Sequence, residues 1–234
     1  MSELNVDTIN EQTSANGVTI DGVKLKDNVV LTDTISENTS AAGVTIDGVL
    51  IKDGVAHSGL VKLATVTASS TSEIDFSTGV TGWDNSTYRS FIIKARWIVP
   101  ATDTARLLVK LASGTSKRTG TYEIGMYQSR IDASASGYYQ QDYTDAIEFG
   151  AQLGTGTRET ASFSLECFPA GDSGSNHAGS TLGIFDFITK ASNAQTWIYR
   201  GGFTFDSTSY MDGAYISMST GNIASGEFDF YGVK

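Results

Sequence analysis

Residues Ala161–Phe168 read ASFSLECF. Phe163, Leu165 and Cys167 fall on one face of an extended chain, with Ser162, Ser164 and Glu166 on the other. That alternation is the period-2 signature of a half-buried strand. Similar segments lie on both sides of it: Val61–Ala68, Arg89–Val99, Arg106–Leu111, Tyr122–Gln128, Ala146–Leu153, Gly183–Thr189, Thr196–Phe205, Ala214–Met218 and Gly226–Val233. Within Arg89–Val99, Phe91, Ile93, Ala95 and Trp97 make the apolar row. Turn formers separate the segments, among them Thr78-Gly79, Ser113-Gly114, Ser136-Gly137 and Gly154-Thr155-Gly156. No stretch sustains a helical period. Residues 61–234 are therefore expected to form an all-β, antiparallel, jelly-roll-like sandwich large enough to carry its own core.

The chain before this region is organised differently. Asp7–Asp27 (DTINEQTSANGVTIDGVKLKD) and Asp33–Asp53 (DTISENTSAAGVTIDGVLIKD) share 16 of 21 positions. In each, a Val-Thr-Ile run meets an Asp-Gly pair, the preferred residues of a type I′ turn, and a second apolar alternation follows. A minimal hairpin or kinked strand is expected in each repeat. Its apolar positions are Val18, Ile20, Val23 and Leu25 in the first repeat and Val44, Ile46, Val49 and Ile51 in the second.

Four such side chains cannot offset the cost of ordering some twenty residues, at ~1–2 kcal/mol of backbone entropy each, and a lone hairpin is marginal in water. These eight positions are accordingly read as an interface. A threefold intertwined stalk is the simplest closed solution, with an arm laid on a different partner as the alternative, so residues 1–60 are expected to be an extended arm for attachment and oligomerisation. The arm has nine acids and three lysines, and Gly54–Gly59 reads as the connector to the head.

Composition excludes much chemistry. Cys167 is the only cysteine, so no internal disulfide or cysteine zinc cage is expected. Net charge is −10, which disfavours a nucleic-acid surface. No apolar stretch approaches the ~20 residues of a membrane span, and the polar start MSELNVDTIN does not read as a signal peptide. His57 and His177 show no metal-binding spacing, and the oxygen-bearing run Asp172–His177 lacks the distal Glu of a calcium loop. No G-x-S-x-G elbow occurs, and Gly154-Thr155-Gly156 lacks the lysine of a phosphate loop. The expectation is a non-enzymatic protein with no metal and no cofactor.

The final stretch Ser219–Lys234, STGNIASGEFDFYGVK, resembles the GNI-x-SG-x-F-x-L-Y-G-[VI]-K segment that closes a bacteriophage virion domain, with Phe230 in place of the common Leu. Upstream, Ile198-Tyr199-Arg200-Gly201-Gly202 is similar to that family's middle, and the TSAxGVTIDGVxxKDG repeat resembles units of phage tail-fibre and other virion structural proteins. The resemblance implies a protein assembled in the host cytoplasm and displayed on the virion surface. It implies either a tail fibre or spike contributing to host-surface attachment, or a capsid decoration (head fibre) protein docked on the shell through its arm. Its expected partners are copies of itself, as a homotrimer, and other virion proteins through residues 1–60.

One segment suits ligand recognition. Ser136-Gly137-Tyr138-Tyr139-Gln140-Gln141-Asp142-Tyr143 combines three tyrosines with two amides in a turn-rich stretch. Such rings stack and such amides hydrogen-bond on sugar- and protein-binding surfaces. Tyr138, Tyr139, Gln140, Gln141 and Tyr143 are the candidates for a host-surface glycan or protein, with Trp83 in a second loop beside them.

Overall fold

The computed structural model describes residues 44–46, 49–52, 55–56, 59–131, 136–143, 145–170, 179–191, 195–207 and 209–234. The chain divides into two units, Met1–Gly54 and Val55–Lys234. In the first, β1 (Val44–Ile46) and β2 (Val49–Lys52) pair antiparallel, with Val44 opposite Ile51, Thr45 opposite Leu50 and Ile46 opposite Val49. The hairpin expected in the second repeat is present. Val18, Ile20, Val23 and Leu25 of the first repeat lie outside the described residues, as do His57 and the run Asp172–His177.

The second unit contains β3 (Val55–Ala56), β4 (Leu60–Thr71), β5 (Glu73–Phe76), β6 (Ser90–Pro100), β7 (Leu107–Ser113), β8 (Ser116–Lys117), β9 (Tyr122–Arg130) and β10 (Ser136–Tyr143). It continues with β11 (Ile147–Glu148), β12 (Ala161–Phe168), β13 (Thr181–Lys190), β14 (Thr196–Phe205), β15 (Gly213–Met218) and β16 (Ile223–Val233). A single helical turn, α1 (Thr78–Thr81), links β5 to β6.

Two sheets hold β4 to β16. The larger runs β10-β9-β14-β13-β12-β6-β16-β4 and the smaller β11-β7-β15-β5, with every pairing antiparallel. Setting aside β3, β8 and the hairpins β9–β10 and β13–β14 leaves eight strands numbered in chain order. One sheet is then 1-8-3-6 and the other 2-7-4-5, the connectivity of a jelly roll. The two hairpins extend the 1-8-3-6 sheet past β12. Most of the final stretch Ser219–Lys234 forms β16, between β4 and β6 in that sheet.

The core follows the alternation read from the sequence. Phe163, Leu165 and Cys167 point inward from β12. Phe76, Phe91, Phe228 and Phe230 are fully buried between the sheets, and Phe91 stacks on Phe230 at 5.0 Å. Beyond β12 the smaller sheet gives out. There Phe149, from the segment after β11, closes the inner face of the added hairpins. It stacks on Phe187 at 5.1 Å and meets Phe185 edge-on at 5.0 Å. Without it those rings would face water, at ~1.5–3 kcal/mol apiece.

Trp97 departs from the expected apolar row. Arg96 and Trp97 form a bulge, because Ala95 pairs with Phe163 and Ile98 with Ala161. The extra residue shifts the alternation by one, so Ile98 takes the inward position. Trp97 stands on the outer face at 62% exposure, with φ of 56°.

Candidate functional site

The outer face of the large sheet carries unbroken register rows. Gln140 lies opposite Gly125, Gly125 opposite Gly202, Gly202 opposite Ile184, and Ile184 opposite Glu166. The next row runs Tyr138, Tyr127, Arg200, Asp186, and the row on the other side Glu123, Thr204, Leu182, Phe168. Side chains two residues apart share a face, so the Gly125–Gly202 row lacks side chains where both neighbouring rows have them. The result is a trough of about 570 Å³ across the strands, within the range of ligand sites. Two strands of glycine floor at ~4.8 Å spacing make it about 10 Å long.

The glycines hold these positions for different reasons. A Cβ on Gly202 would meet the Gly183 carbonyl oxygen at 3.0 Å, whereas one on Gly125 would meet nothing within 4 Å. On the inner face Gly183 makes room for the Phe203 ring, and Gly201 lets β14 lie close against the Gly125 carbonyl and Met126. The Gly201-Gly202 pair thus serves inner packing with one residue and the trough floor with the other.

Tyr138 forms the aromatic wall. It is 88% exposed, and its ring meets Tyr127 edge-on at 6.2 Å. The opposite end is apolar, built from Ile184, Leu182 and Phe168, each largely exposed. Gln140, Glu123 and Thr204 supply polar groups at the rim. Glu123 is the only charged residue in the described lining. Beside the trough an ion pair between Arg200 Nε and Asp186 at 2.6 Å ties β14 to β13.

The tyrosine segment expected to be turn-rich is strand β10, at the sheet edge. Ser136 and Gly137 are turn formers, but the residues after them favour a pleated surface and pair in register with β9. Strand alternation divides the candidates. Tyr138 and Gln140 line the trough, while Tyr139, opposite Met126, is half-buried and packs against the core. Gln141 and Tyr143 are placed by backbone register opposite Ile124 and Tyr122.

Trp83 is a correction. It is 6% exposed, within 6.1 Å of Tyr88, Phe91 and Phe230, and its Nε1 donates to Asn85 Oδ1 at 2.6 Å. The left-handed Gly82 after α1 turns the chain so that the indole enters the core rather than a recognition loop. Sequence reading missed Gly125, Gly202, Leu182, Ile184 and Phe168. The usable signal was glycine inside a strand pattern, which marks close approach or an opening.

At the other end of the same face, Asp229 is 2% exposed and clamps three strands. Its carboxylate accepts from Lys62 Nζ at 2.9 Å, Thr65 Oγ1 at 2.6 Å and Arg96 Nη1 at 3.5 Å. Burial pushes its pKa up, but the Thr65 and Lys62 hydrogen bonds and the charges of Lys62 and Arg96 outweigh that and hold it below the ordinary range. Among the described residues no group of three His, Cys, Asp or Glu could hold a metal ion. No family model, curated protein or solved structure matches this chain.

Proposed function

We propose that the chain is a non-enzymatic virion structural protein of the tail-fibre or spike type, whose jelly-roll head contributes to host-surface attachment through the trough. The observation that carries this reading is the exposed Tyr138 ring beside the Gly125–Gly202 floor. An aromatic platform, an open slot and a few polar groups suit a ligand that is grasped and not turned over. The resemblance of the repeat and of the closing strand to phage virion proteins supplies the biological setting. Copies of the chain associate as a homotrimer through the arm, whose hairpin cannot bury four apolar positions by itself. Purified head should bind host cells and compete with phage adsorption, and Tyr138→Ala should weaken both. Equal competition by the variant and the parent protein would remove the trough from attachment.

A second reading, capsid decoration, draws support from the division of the chain at Gly54, which suits an arm docked on a shell. Copy number per virion separates the two. Hundreds of copies mean the capsid, and a few to dozens mean the tail.

A further inference from the structure

We infer that the occupant of the trough is a neutral glycan segment carrying methyl-bearing substituents, such as acetamido or 6-deoxy groups, lying across the strands. The inference rests on the attachment reading above and narrows its ligand. Three features of the lining select this chemistry. Tyr138 offers a ring face at the wall, on which the C–H face of a pyranose stacks. Gln140, Glu123 and Thr204 offer acceptors and donors at the rim for sugar hydroxyls. Ile184, Leu182 and Phe168 close the far end with hydrocarbon, against which a hydroxyl would lack a hydrogen-bond partner and a methyl group packs.

Charge decides between glycan classes. The sole charged group in the described lining is the Glu123 carboxylate, and the nearby Arg200 cation is already paired with Asp186, so an acidic sugar placed there meets repulsion with no unpaired cation to offset it. The floor sets the size. About 10 Å of glycine floor across the strands admits a linear segment and excludes a folded protein surface.

The test uses the full chain and isothermal titration with three trisaccharides: an N-acetylglucosamine trimer, a rhamnose trimer and a galacturonic acid trimer. At least one neutral trimer should bind saturably, and the acidic trimer at least tenfold more weakly. Gly125→Val should abolish that binding without lowering the melting temperature. Its Cβ meets nothing within 4 Å, and a β-branched residue suits a strand. Tyr138→Ala should weaken binding roughly fivefold, within the ~0.5–1.5 kcal/mol of an aromatic stack, and Glu123→Gln should narrow the gap to the acidic trimer.

Absence of saturable binding by either neutral trimer, equal binding of the acidic one, or full binding by Gly125→Val would each overturn the inference. If Gly125→Val lost competition with phage adsorption while no trisaccharide bound, the occupant would be a host protein; the inference would fail and the attachment reading would stand. A change in the sedimentation of Gly125→Val would identify a second copy as the occupant and also overturn it.

Discussion

The guanidinium carbon of Arg96 lies 5.2 Å from the centroid of the Trp97 ring, on the outer face of the large sheet. Arg96 also pairs with Glu227 and Asp229 of β16, so the indole sits beside the polar clamp and away from the sandwich core. A bulky residue at positive φ is strained, at ~1–3 kcal/mol.

This placement predicts an inverted mutational pattern at the end of β6. Trp97→Gly relieves the strain and loses one exposed cation–π contact of ~0.5–1 kcal/mol, so its urea midpoint should equal or exceed that of the parent. Ile98→Ala should cost ~2–5 kcal/mol, since Ile98 is fully buried. Trp97→Phe should remove most of the fluorescence that iodide quenches. A large loss of stability at Trp97 would mean that the bulge is absent.

Phe149 predicts how the sheet extension is held. Phe149→Ala strips the cover from Phe185 and Phe187 and should destabilise the head by ~3–5 kcal/mol. Hydrogen exchange should speed up first in β13 and β14. Uniform acceleration across β4 and β16 would contradict a cover local to the added hairpins.

The Asp229 clamp predicts a pH dependence. Its folded pKa is held below the ordinary carboxylate value of 3.8. Its contribution to stability is therefore present above that value and is lost as pH falls through the lower folded one. Asp229→Asn should flatten this acidic slope in denaturant melts between about pH 5 and 2. Lys62, whose pKa is raised mainly by its hydrogen bond to Asp229, should lose its contribution only as pH climbs above 10.5. An unchanged acid limb in Asp229→Asn would refute the clamp.

The arm predicts association. Light scattering on the whole chain should return a multiple of 24.9 kDa, three being the expected value. Removal of residues 1–54, which leaves β4 intact, should weaken the assembly. A monodisperse monomer of the full chain would refute the stalk.

Strand identity was written locally. The alternation of Ala161–Phe168 is a property of neighbouring residues, and so are the antiparallel pairing of β1 with β2 and the all-β character, because a strand's period depends only on which side chains point together. The site was not local. Tyr138 and Gln140 were legible as residue types, but the trough exists only because Gly125 faces Gly202 and Ile184 comes next, a meeting of β9 with the β13–β14 hairpin from a distant part of the chain. Nor does sequence alone reveal a bulge. One extra residue between Ala95 and Ile98 reverses every face beyond it, and only pairing with β12 and β16 shows that Trp97 is that residue. Trp83 likewise looks like a loop aromatic until the fold brings Phe91 and Phe230 around it. Period is set within a strand, whereas register is set between strands, and the recognition surface depends on register.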